Sequence, residues 1–213
     1  MSLVEEYKAM RKKQVGIHME ILDEFLDEDK LFKSCKVMGI LKNNRVVLEE
    51  EPEQDSLYDF NVYEKWDEGE SGLSKYIRKH GYSDEAETER LLRAMADSES
   101  GLYEVVDTDK ENYIIKLKAI SDSDKSIQLM DLSLSQMLEP GKLIFARLTH
   151  LENFSMTSGI AFVFRENHRE YLLQRSKKLI KKAGSGDPSA DRFIAFFYLN
   201  RSDGMKTMLQ SVE

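Results

Sequence analysis

Apolar positions recur at three- and four-residue steps from the start of the chain: Leu3, Tyr7, Met10, Ile17, Ile21 and Phe25, with Gln14 on the same line. This period predicts one long helix over residues 2–28 with a narrow apolar stripe. Gly16 interrupts it at a cost of about 1 kcal/mol relative to alanine, so packing has to hold the helix. Such a stripe can also form a dimer seam. Three heptads without flanking charge pairs favour packing on the chain's own core.

The next stretch is less regular. "NNRVVLEEEPEQ" reads as a turn and a short strand ended by an acidic run and Pro52. In "SLYDFNVYEKW" both periods fit: Tyr58, Phe60 and Val62 alternate as in a strand, and Leu57, Phe60 and Glu64 share a helix face. "LSKYIRKHGY" is a short helix closed by Gly81. "SDEAETERLLRAMADS" is a better one, with Asp84 and Glu87 spaced as a capping box ahead of Leu91, Leu92 and Met95.

After Gly101 the period becomes two. "LYEVVD", "NYIIKLKAI", "SIQLMDLS", "GKLIFARLTH" and "SGIAFVF" are strand-like and separated by polar turns, among them "SDSDK" at 121–125. A small curled antiparallel sheet or barrel of four or five strands is expected. A helix then runs from Glu166 to about Ala183, and "GSGDPSA" connects it to a last helix with Asp187 as cap and Pro188 as first residue. The fold class is therefore α+β: N-terminal and middle helices over 1–100, the sheet over 101–164, and C-terminal helices over 165–213.

The order "SGLYEV", a strand pair, "MDLSLSQMLEPGKLIFARL" and "SGIAFVF" resembles a set of bacterial proteins, some of which carry a C-terminal zinc-binding SEC-C motif. The resemblance covers roughly residues 57–164 and rests on pattern. The cysteine-rich tail of that motif has no counterpart here, and the resemblance transfers no catalytic residue.

Charge divides the chain. Residues 49–107 hold 18 Asp or Glu against 6 Lys or Arg, while "RENHREYLLQRSKKLIKK" at 165–182 holds seven basic residues and two glutamates, within an overall charge of −8. A nucleic-acid partner would use that basic helix, through Arg175, Lys178, Lys181 and Lys182 beside Tyr171. Lysines at a helix C-terminus also stabilise the macrodipole without any ligand, which is the favoured account of them. The single cysteine, Cys35, points to a reducing compartment, and a cytoplasmic location with no membrane partner is expected.

Chemical motifs are sparse. Neither phosphate-loop pattern occurs. His18, His80, His150 and His168 are isolated, so no metal site or cofactor is expected. "DTDKEN" at 107–112 has calcium-loop spacing but Asn112 and Lys118 where that loop needs Gly and Glu, and reads as a turn. Arg147 lies on a strand apolar on both faces, where a structural pairing with a carboxylate or carbonyl is favoured over ligand binding. The apolar run Phe193–Leu199 needs cover, either from the rest of the chain or from a second subunit, with Phe193, Phe196 and Phe197 as contact residues and a homodimer as the sharper alternative. These features point to a non-enzymatic protein-interaction module of unidentified partner. A nucleic-acid binder and a small-ligand pocket inside or beside the barrel are the alternatives.

Overall fold

Ser2 and Glu5 close a capping box at the head of α1 (Leu3–Phe25). In the computed structural model, which describes residues 2–121 and 126–205, α1 stops short of the expected boundary at 28. The reason is Asp27. Its carboxylate accepts the Lys30 amide at 2.8 Å and starts a separate helix, α2 (Glu28–Val37), which the apolar period does not announce. The strand expected after "NN" is a two-residue hairpin arm: β1 (Leu41–Lys42) pairs with β2 (Arg45–Val46) across Asn43 and Asn44, both at positive φ as a primed turn requires.

The ambiguous segment is a helix, α3 (Glu53–Tyr63). Eight of its eleven residues are buried because α1, α2, α4, α8 and β7 all touch it. A helix buried over most of its surface keeps only a narrow exposed strip, here Gln54, Asp55 and Tyr58, and so shows almost no helical period. The helices α4 (Gly72–His80), closed by Gly81, and α5 (Ala86–Ala96) follow as expected. The Asp84–Glu87 capping box does not form. Glu85 occupies the cap position without a side-chain cap bond, and Glu85 and Glu87 both pair with Lys13 on α1.

Five strands come next: β3 (Glu99–Asp109), β4 (Ile114–Ala119), β5 (Ser126–Met130), β6 (Leu143–His150) and β7 (Ser155–Phe164), with a short helix α6 (Leu134–Met137) between β5 and β6. Their hydrogen-bonded order, β3-β4-β5-β7-β6, returns to β3 and closes the sheet. One seam departs from the all-antiparallel expectation: β5 and β7 run parallel and meet at the single pair Leu129–Ser155. The "SDSDK" turn lies, apart from Ser121, outside the described residues.

The closed sheet explains why β6 is apolar on both faces. Ile144, Ala146 and Leu148 join Val105, Leu117 and Leu129 in its interior, while Leu143 and Phe145 face a second core built with α2, α3 and α8. A 3₁₀ turn at 166–168 leads into α7 (Arg169–Ala183), and α8 (Pro188–Asp203) returns across the outside of β6 and β7. Phe196 stacks on Phe145 at 4.1 Å between ring centres, Phe193 meets Phe60, and Phe197 meets Phe162. The three contact candidates are thus buried within their own chain, and none is left to face a second subunit.

Asp187 caps α8 by accepting the Ala190 amide at 2.8 Å. Asp187→Ala is expected to cost about 1 kcal/mol, read as a lower urea midpoint with an unchanged slope.

Candidate functional site

Strand β7 carries a bulge. Ala146 pairs with Ala161 and Leu148 with Thr157, so Ser158, Gly159 and Ile160 together oppose the single residue Arg147. Gly159 supplies the positive φ (134°) at the bulge, and a Cβ built there would meet nothing within 4 Å. Bulges of this kind bend a strand and redirect its side chains. Here the bulge turns β7 toward α1 and α3 and opens a cleft beside the barrel.

The cleft has a volume of about 630 Å³. One wall is the outward face of α1, where Lys8, Lys12, Val15, Met19 and Leu22 recur at helical spacing. The opposite wall is α3 with Asp55, Tyr58 and Asp59, and the bulge completes it. Lys8 and Lys12 are exposed and make no ion pair among the described residues. Arg11 is fully engaged: it donates to Gln14 at 2.7 Å, to the Thr157 carbonyl at 2.7 Å and to Tyr7, and lies 3.6 Å from Asp131.

Asp59 is the unusual group. It is 5% exposed, its carboxyl oxygens are themselves closed off from solvent, and neither makes a hydrogen bond of normal geometry among the described residues. Burial drives its pKa up to about 7. Ser158 and Arg147 pull against that rise, and Glu64 adds to it. The Ser158 hydroxyl acts on the carboxyl from the β7 bulge.

Behind Asp59 runs a buried polar spine. The Arg147 guanidinium donates to Glu64 Oε1 at 2.6 Å and to the Ser98 carbonyl at 2.6 Å, and it packs over the Tyr63 ring. This is the carboxylate-and-carbonyl pairing expected of a structural arginine. Tyr63 in turn hydrogen-bonds His18 at 2.8 Å. Burial, reinforced by Arg11, holds His18 down to about 4, so it is neutral at physiological pH. Arg147 and Glu64 also line a second cleft, of about 660 Å³, with Arg78 and Arg192. There Arg147 pairs with Glu64 and Arg78 with Glu70.

The other sequence candidates lie elsewhere. Arg175, Lys178, Lys181 and Lys182 are exposed on α7, on no wall of either cleft, and the Tyr171 hydroxyl donates to Asp203 at 3.1 Å. Cys35 is buried. The 107–112 segment is the end of β3 and the start of its hairpin turn, where Asp109 accepts the Asn112 amide. Sequence reading passed over Asp59 and the bulge. Two signals mark them: a lone aspartate inside the apolar run "LYDFNVY", and a glycine inside the strand pattern "TSGIAF".

A closed five-stranded sheet wrapped by helices, with a polar cleft at a strand bulge, defines an α+β protein with a ligand-sized cavity. A family model matches residues 1–210, and the chain belongs to that family, described as a family of unknown function (DUF7986). The match spans nearly the whole chain, and it brings no link to the SEC-C proteins. No curated protein and no solved structure matches the chain. Among the described residues, no helix is long and apolar enough to cross a membrane.

Proposed function

We propose that this protein binds a small molecule in the cleft between α1, α3 and the β7 bulge, and that it binds this molecule without transforming it. The observation that carries the reading is the cleft itself, about 630 Å³ in volume, with Val15, Met19 and Leu22 of α1 facing it together with the exposed charges Lys8, Lys12 and Asp55. The cavity falls in the range usual for small-molecule sites, and its wall mixes apolar side chains with a few polar groups, as such sites do. The protein-interaction reading relied on the aromatics of α8, which are consumed in the core. Nucleic-acid binding has in its favour Arg175, Lys178, Lys181 and Lys182 of α7, which make no ion pair among the described residues, but they form a single short stripe on a chain of net charge −8.

A thermal-shift screen of a metabolite library tests the proposal. Compounds that raise the melting temperature of the wild type by several degrees are expected. They should do nothing to Met19→Trp, which fills the cleft from an exposed position on α1. Hits indifferent to Met19→Trp, or a library without hits, would defeat the reading.

A further inference from the structure

The outward face of α1 changes character along its length. Lys8 and Lys12 line the cleft from its first half, and Val15, Met19 and Leu22 continue the same face through its second half. Of the four basic residues of this helix, Arg11 pairs with Asp131, and Lys13 pairs with Glu85 and Glu87. Lys8 and Lys12 make no ion pair among the described residues, although they stand one turn apart, where like charges repel. The apolar half is as unusual. At 52% and 55% exposed, Val15 and Met19 are the two most exposed large apolar side chains among the described residues. Such residues scattered singly need no explanation, but these two stand one turn apart on the wall of a cleft.

On the basis of the ligand-binding reading, we infer that the ligand is an amphipathic acid: a carboxylate or phosphate head facing Lys8 and Lys12, and an aliphatic chain along Val15, Met19 and Leu22. The head relieves the repulsion between the two ammonium groups, and the chain covers apolar surface that water now touches. Val62, Leu132 and Ile160 also line the cleft and add to that surface. The charges left facing the cleft have the sign that an acid requires. Arg11 and Asp131 neutralise each other, and the Asp59 carboxyl is closed off, so Lys8 and Lys12 are opposed only by Asp55 on the α3 wall. From Lys12 to Leu22 the strip runs about 15 Å along the helix, which suits the extended length of decanoate. A cation meets two like charges there. A short-chain acid leaves the apolar half wet, and an uncharged chain draws nothing from the lysines.

Both lysines are exposed, so they set the preference for charge while the chain supplies the affinity. An acid should therefore bind about tenfold more tightly than the matching alcohol at low ionic strength, and the preference should fade in high salt.

Calorimetric titration with decanoate and decyl phosphate, set against decanol, decylamine and acetate below micelle-forming concentrations, tests this. One or both of the long acids should bind with that preference over decanol, and the tighter of the two identifies the head. Decylamine should bind more weakly than decanol, and acetate not at all. The double variant Lys8→Gln, Lys12→Gln should bring the acids to the affinity of decanol, and Asp55→Asn should leave them bound at least as tightly as before. All three positions are exposed, so these variants test binding and not folding. Decylamine binding as tightly as the acids, acids indifferent to the lysine variant, or loss of acid binding in Asp55→Asn would overturn the inference. Sedimentation with phosphatidylglycerol vesicles by a protein that binds no free acid would also overturn it, in favour of a membrane surface. If none of these probes binds although library compounds bind in a manner that Met19→Trp blocks, the ligand class is wrong and the cleft remains a binding site. If both experiments are blank, the two proposals fall together.

Discussion

Replacing Arg147 by methionine is expected to lower folding stability by about 3–5 kcal/mol. Methionine keeps the length of the aliphatic stem and removes the charge, so the loss measures the pairing. Glu64, with no exposed surface, would be left as a lone buried carboxylate, and the Ser98 carbonyl would lose its donor. The effect should be strongly non-additive. The double variant Glu64→Leu, Arg147→Met removes both charges and should regain most of the loss, giving a coupling energy on the order of 2 kcal/mol or more in a double-mutant cycle. A single variant that unfolds within 1 kcal/mol of the wild type would show that the spine is not the buried ion pair described.

That spine also shows how far the sequence can be read. Arg147 was legible because its strand is apolar on both faces, so a charge there had to find partners nearby. Its partner Glu64 was not legible. It ends a helix whose period is erased by burial over most of its surface, and it lies 83 residues away in the chain. The same erasure hid Asp59, since a residue on a helix without a visible face cannot be assigned to a wall. The sheet was legible strand by strand from its alternation and turns. The order of its closure was not, because one parallel bridge between β5 and β7 has no local signature. Helix α2 was missed for a smaller reason: Asp27 caps a new helix where the apolar spacing alone continues the old one.

Asp59→Asn is expected to stabilise the protein above neutral pH, the reverse of what the loss of a structural group would do. In the unfolded chain the carboxyl titrates near 3.9; in the fold, burial raises it to about 7. The native state therefore binds the proton more tightly, and stability falls as pH rises between those two values. Below pH about 4 both states are protonated and the group exerts no pull on folding. Above pH about 7 the ionised carboxylate sits unpartnered in the fold, at a cost on the order of a few kcal/mol. Asparagine fills the same volume and does not titrate, so the two proteins should converge in urea midpoint only below pH about 4 and separate progressively up to pH about 7, with the variant the more stable. Parallel curves across that range would mean that Asp59 is solvated or paired.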